Sequence, residues 1–285
     1  MSRIVYVNGD YLPEAEAKIS VFDRAFLFAD GVYEVTAVLG GKLIGFPPHM
    51  RRLRRSLGEL AMASPASDDE LLAIHRAMVE KNGIDEGLIY LQVTRGSADR
   101  DFLFPAEGTA PSLVLFTQAA KIIDRPTVKT GIRVALVPDL RWGRRDIKTV
   151  QLLYPSIAKM EAKRQGKDDA WLVEDGEITE GTSNNAYIVN AEGAIVTRPL
   201  SSDILSGITR ESVLRLAAET GLTVEERGFS VEEAKAAREA FITSASAFVM
   251  PVVEIDGVTI GDGKPGPIAL RLREIYIEES LKTAL

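Results

Sequence analysis

The chain opens with short apolar runs broken by turn residues. Ile4-Val5-Tyr6-Val7 followed by Asn8-Gly9-Asp10 reads as one arm of a hairpin and its turn. Residues 28–39, which include Asp30-Gly31-Val32-Tyr33-Glu34-Val35, lead into a strand. Gly40-Gly41 then turns the chain into a second strand over 42–46. At Pro47 the period changes. Met50, Leu53, Leu57 and Leu60 recur at helical spacing and predict one apolar helix face. Ser67 opens another helix, with Glu70 completing a capping box. Residues 88–94 and 112–117 read as buried strands.

The second half begins with a strand at 132–137. A helix is predicted over 155–165, closed by Gly166. Strands at 170–173 and 185–189 flank an Asp175-Gly176 turn. A helix over 209–220 ends at Gly221, Ser230 and Glu233 form another capping box, and Phe241-Ile242-Thr243 is a strand. The terminal helix starts near Pro267 and is expected to bury Ile268, Leu272 and Ile275. There is no internal repeat, and no Gly-x-Gly-x-x-Gly follows a strand. The mixture of hairpins and helices predicts an α+β fold rather than a regular βαβ alternation. Two domains are expected, 1–118 and 128–285, joined by a linker at 119–127.

Composition narrows the chemistry. At 285 residues, with 46% hydrophobic and 26% charged residues, the chain can bury a sizeable core. Its net charge of -7 makes nucleic acid and anionic membrane unfavoured partners. The absence of cysteine excludes disulfides, thiolate metal sites and cysteine nucleophiles. Only His49 and His75 are present, too few for a histidine-rich metal site, and no metal is expected. No run is long enough for a signal peptide or a membrane span, so the cytoplasm is the expected location.

Three segments carry candidate chemistry. Lys148 lies in Arg145-Asp146-Ile147-Lys148-Thr149, where a strand-like stretch should give way to a helix. Arg141, Arg144, Arg145 and Lys159 are the nearby cations that would help it shed a proton. Glu180 follows 32 positions later, in Thr179-Glu180-Gly181. Leu205-Ser206-Gly207-Ile208-Thr209-Arg210 opens a helix whose first amides point outward, ready for an anion, with Ser206 or Thr209 as its cap. Taken singly, these are a surface lysine, a turn glutamate and an ordinary helix start. Taken together they supply an amine for a carbonyl, an acid for a ring nitrogen and a phosphate seat, which is what a protein brings to pyridoxal phosphate. Arg52, at i+3 from His49, adds a potential phosphate clamp, although Arg51, Arg54 and Arg55 around it suggest a solvent-facing basic helix. Tyr33 and the loop residue Arg100 are further candidates.

In this order and spacing the segments resemble the class IV aminotransferases, the fold type IV pyridoxal phosphate enzymes. Within that family the similarity is greatest to the D-amino-acid aminotransferases. The resemblance runs from the Val7-Asn8-Gly9 hairpin through His49-Met50-Arg51-Arg52-Leu53 and the three segments to Pro251-Val252-Val253-Glu254-Ile255-Asp256-Gly257. It implies a two-domain fold with the cofactor between the domains. It makes Lys148 the Schiff-base lysine and Glu180 the partner of the pyridine nitrogen. Arg52, Ile208 and Thr209 would form the phosphate cup, and Leu205 would pack on the ring. Tyr33 and Arg100 would trap the substrate carboxylate, the arginine reaching across a homodimer interface.

Two positions depart from the family pattern. Phe102 stands where the D-amino-acid enzymes carry a histidine, so one donor to the carboxylate is missing. Ala245, in Thr243-Ser244-Ala245-Ser246, replaces a phosphate-binding threonine, leaving its amide and the Ser244 or Ser246 hydroxyl for that task. The expected reaction moves the amino group of a D-amino acid to a 2-oxo acid such as pyruvate or 2-oxoglutarate in a ping-pong cycle. The alternatives are an (R)-amine transaminase, a branched-chain L-amino-acid aminotransferase, an aminodeoxychorismate lyase, and a catalytically silent binding protein on the same scaffold.

Overall fold

The computed structural model describes residues 2–285. The chain divides into two units. The first holds the chain up to Lys121, together with Ile147–Gln151 and Thr283–Leu285; the second holds Ile122–Asp146 and Leu152–Lys282. Ile147–Gln151, which lies far along the chain, groups with the first unit.

The first unit contains β1 (Ile4–Val7), β2 (Asp10–Pro13), α1 (Arg24–Phe28), β3 (Gly31–Leu39), β4 (Lys42–Ile44), α2 (Phe46–Glu59), α3 (Asp68–Asn82), β5 (Glu86–Thr94) and β6 (Ser112–Ala119). Its six strands form an antiparallel sheet in the order β2-β1-β6-β5-β3-β4. Met50, Leu53 and Leu57 are buried as their spacing requires, beside Leu71, Met78, Ile89 and Leu91. The Ser67–Glu70 capping box is present in both directions. Residues 24–28 are helical rather than part of the run into β3, because Asp23 caps them by accepting from the Ala25 amide and Ala29 ends them in the left-handed region.

The position of Lys148 follows from strand pairing. β4 pairs only with residues 37–39 of β3. The same edge of β3 nearer Gly31 is taken by the 147–151 segment: Tyr33 N donates to Lys148 O at 3.0 Å, and Val150 N to Gly31 O at 3.0 Å. Lys148 thus sits in an extended segment, not at a strand-to-helix junction. A free sheet edge was filled by backbone from far along the chain, which local periodicity does not register.

The second unit contains α4 (Pro126–Thr130), β7 (Ile132–Pro138), α5 (Leu153–Arg164), β8 (Asp169–Glu174), β9 (Glu177–Gly181), β10 (Asn185–Val189), β11 (Ile195–Thr197), α6 (Ile208–Glu219), β12 (Val224–Glu226), α7 (Val231–Lys235), β13 (Glu239–Ser244), β14 (Phe248–Ile255), β15 (Val258–Thr259) and α8 (Pro267–Lys282). Its nine-stranded mixed sheet runs β12-β11-β10-β13-β14-β7-β8-β9, with β15 on β14. On α8 the buried stripe is Ala269, Leu272, Arg273, Tyr276 and Ser280, while Ile268 and Ile275 are only half-buried. The stripe is rotated because Arg273 turns inward. It donates to the carbonyls of Ala247, Val249, Ile122 and Ile123, and its burial pushes the guanidinium down to about 10. Ser230 caps α7, but Glu233 leaves its half of the expected box to bind Arg227.

Candidate active site

In the first unit the period of β3 places Val32, Glu34, Thr36 and Val38 on one face, and all four are fully buried. A carboxylate at such a position needs partners. Glu34 finds them on α2. Arg52 donates Nε to Oε1 at 2.8 Å and Nη2 to Oε2 at 2.7 Å, a bidentate pair. His49 Nδ1 lies 2.7 Å from Oε2. Burial alone would raise the Glu34 pKa, but Arg52 and His49 outweigh it and bring the group down to about 2. Burial lowers the pKa of His49, with Glu34 opposing. Its neutral ring then donates Nδ1–H to the carboxylate. Arg52 is therefore not part of a solvent-facing basic face. It is only 9% exposed and held by an internal anion.

One turn beyond Arg52, the Ser56 hydroxyl accepts from Lys148 N at 3.4 Å. Lys148 Nζ lies 4.1 Å from the centroid of the Tyr33 ring. The amine is half-buried and, among the described residues, has no carboxylate partner. It is thus available as a nucleophile and proton carrier. The basic residues near it in sequence are otherwise engaged: Arg141 with Asp139 and Glu180, Arg144 with Asp146, Arg145 with Glu174, and Lys159 with Asp169.

In the second unit Glu180, on β9, is 4% exposed. Its Oε1 accepts from Arg141 Nη1 at 2.5 Å, and its Oε2 from Asn185 Nδ2 at 3.0 Å and Leu205 N at 3.2 Å. Arg141 also holds Asp139 through Nε and Nη2. The Thr179 hydroxyl donates to Asp139 at 2.7 Å. Burial raises the Glu180 carboxyl above its usual range, and Arg141 counters this only in part. Asp139 is also penalised by burial, but Arg141 and Thr179 bring it below its usual range. Glu180 and Leu205 are thus brought together. Gly207 permits this, since a Cβ there would stand 2.1 Å from Asn185 Oδ1.

Gly207, not Ser206 or Thr209, is the N-cap of α6, and no side chain caps it. Ile208 and Thr209 are both buried. The Thr209 hydroxyl makes no hydrogen bond. The Tyr276 hydroxyl interacts with it electrostatically without reaching hydrogen-bond geometry. Ser244 accepts from Ala247 N at 3.2 Å in the turn between β13 and β14, which carries Ala245 half-buried. Arg100 and Phe102 form a separate group with Phe28, on the loop between β5 and β6.

Taken unit by unit, the donor groups are of the kinds that an aldehyde, a basic ring nitrogen and a phosphate would need. The first unit offers an amine without a counter-ion. The second offers a buried carboxylate with raised proton affinity, and an uncapped helix start with an unsatisfied buried hydroxyl.

The amino-transferase class IV family matches residues 31–255. The chain belongs to that family, a family of pyridoxal-phosphate-dependent transaminases. It is 38% identical over 272 residues to a D-alanine aminotransferase of Staphylococcus aureus, covering 95% of each chain. It is 37% identical over 283 residues to the D-alanine aminotransferase of Bacillus licheniformis, covering 98% of this chain and 99% of the relative. A solved branched-chain aminotransferase of the thermophilic archaeon Thermoproteus uzoniensis, with norvaline, matches with a TM-score of 0.85 at 29% identity, covering 99% of this chain and 96% of that one.

Sequence reasoning missed the parts of Glu34, Asp139 and Asn185 in these clusters, and gave Arg141 to Lys148 rather than to Glu180 and Asp139. For Glu34 a signal existed, a lone acid at an inward position of an alternating strand. For Arg141 and Asn185 there was none, because their roles arise from partners distant in sequence.

Proposed function

We propose that this transaminase takes D-amino acids as donors and passes the amino group to a 2-oxo acid, pyruvate or 2-oxoglutarate. The observation that carries this reading is the similarity to D-alanine aminotransferases over almost the whole chain. Bound pyridoxal phosphate supplies an electron sink for the donor's Cα. Lys148 Nζ would hold the cofactor covalently, and its amine would serve as the carrier for the donor Cα proton. Glu180 would pair with the ring nitrogen and favour its protonated form through the negative charge of the carboxylate. The Ile208 and Thr209 amides, the Thr209 hydroxyl and Arg52 hold the phosphate, with Ser244 and the Ala245 amide as further donors. Leu205 packs on the ring. Tyr33 lines the substrate position, and Arg100 binds the donor carboxylate, with Phe102 beside it.

Two copies are proposed to pair. Val21, Phe22, Phe26, Leu103 and Phe104 of the first unit leave large apolar side chains exposed, more than a monomer ordinarily shows in one segment pair. The proposed location is the cytoplasm. No helix among the described residues is long and apolar enough to cross a membrane.

A donor panel tests the reading: D-alanine, D-glutamate, L-leucine and (R)-1-phenylethylamine, each with 2-oxoglutarate or pyruvate as acceptor. Turnover of the D-amino acids above the others is expected. Preference for L-leucine would transfer the assignment to the branched-chain branch, and preference for the amine would remove the carboxylate role of Arg100.

A further inference from the structure

Arg100 is an exposed arginine that makes no hydrogen bond or ion pair among the described residues. Two rings hold it instead. Its Cζ lies 5.5 Å from the Phe28 centroid and 5.6 Å from the Phe102 centroid. The rings meet each other edge-on, with centroids 5.6 Å apart and planes at 64°. Phe102 is 80% exposed, an unfavourable place for a phenyl group unless the ring has work to do there.

The backbone beneath these side chains is anchored. Arg24 is 3% exposed and donates Nη1 to Asp101 O at 2.8 Å and to Leu103 O at 3.3 Å, the two carbonyls that flank Phe102. Arg24 Nε is fixed by Asp30 at 2.7 Å. Leu103 N donates to Asp101 Oδ1 at 3.0 Å, closing a local turn. Two residues on, the Phe104 ring lies under Arg95 at 3.7 Å. Phe102 is thus aimed by main-chain contacts on both sides, while Phe28 closes α1 opposite it.

We propose that Phe28 and Phe102 are positioning residues for Arg100, holding its guanidinium against ring π-faces so that its N–H donors stay free for a carboxylate. An acid in their place would consume those donors. A ring attracts the cation and leaves the N–H fork unspent. Phe102 is therefore a different solution to carboxylate binding rather than a lost donor: it orders the arginine instead of adding a hydrogen bond. The proposal rests on the reading of Arg100 as the carboxylate group.

The test uses the holoenzyme and the best donor of the panel. Phe102→Leu is expected to raise the donor KM about two- to fivefold, the range for an exposed cation–π contact, while kcat changes less. Phe28→Leu should do the same, with melting temperature as a check on that half-buried position. Phe102→Tyr, which keeps the ring, should restore the wild-type KM. In an Arg100→Met background Phe102→Leu should add nothing. An unchanged KM in Phe102→Leu, failure of Tyr to rescue, or an undiminished effect of Phe102→Leu without Arg100 overturns the positioning role. If Arg100→Met alone leaves the donor KM unchanged, the carboxylate reading fails and the proposal falls with it.

Discussion

Two of the buried carboxylate–arginine clusters, one in each unit, hold glutamates whose pKa values shift in opposite directions. In the first unit Glu34 takes Arg52 in a bidentate pair, with His49 as a further donor, and its pKa falls to about 2. In the second unit Glu180 shares Arg141 with Asp139, and its pKa rises. Both carboxylates are almost completely buried. The difference is how much positive charge each can claim. Glu34 is locked as an anion, which suits a device that aims Arg52. Glu180 is left less firmly ionised, because burial outweighs its share of Arg141.

The comparison has catalytic meaning only if the chemistry runs through Lys148. Lys148→Ala is expected to lower kcat by about 10⁴-fold, the upper end for removing a positioned proton carrier. Its melting temperature should stay near wild type, since the amine has no ion pair to lose. Residual turnover near wild type would leave neither cluster a role in catalysis. Next in size, Glu34→Ala leaves Arg52 buried without its anion. A loss of about 3–5 kcal/mol in urea unfolding is expected. Glu180→Gln should do the reverse. Arg141 keeps Asp139, so stability changes little, while kcat drops about 10²-fold. Equal stability losses in the two variants would show that both clusters are merely structural.

The pH dependence separates them further. A carboxylate lowered by folding stabilises the protein above its unfolded pKa and loses that contribution as pH falls towards the folded value. Glu34 should therefore make stability fall between pH about 4.5 and about 2, and Glu34→Gln should flatten that limb. Glu180 has the opposite sign. Its contribution is greatest below its unfolded pKa and is lost as pH rises through the raised folded one. The wild type should then lose stability relative to Glu180→Gln as pH rises above about 4.5. Urea midpoints across pH 3–8 would read both, and parallel curves would erase the contrast. The smallest effect is expected at Thr209. Thr209→Val removes a buried hydroxyl that makes no hydrogen bond of good geometry and only a weak interaction with Tyr276. Folding should be unchanged or slightly more stable, while cofactor affinity weakens by about 1 kcal/mol, read by equilibrium dialysis.

Much of this could be read from the chain alone. The apolar spacing of Met50, Leu53 and Leu57 placed α2. The same helix geometry puts His49, Arg52 and Ser56 on a common side, but whether that side faces solvent depends on what packs against it. The Ser67–Glu70 box was legible because capping is local. The terminal helix was placed with the wrong buried stripe, because Arg273 turns inward to four carbonyls that no pattern in α8 announces. Lys148 was found by the order of motifs, yet its extended setting depends on an open edge of β3 more than a hundred residues earlier.

By itself, then, the sequence determined most of the elements and the family, and singled out Lys148 as the candidate amine. These rest on short-range periodicity and on residue types at set spacings, and both survive without coordinates. Only the tertiary structure decided how the charges are matched: Arg52 with Glu34, Arg141 between Asp139 and Glu180, and Arg100 between two rings. Proton affinity depends on burial and on neighbours brought from elsewhere in the chain. Two buried glutamates therefore became, on folding, a carboxylate held well below its usual range and one raised above it.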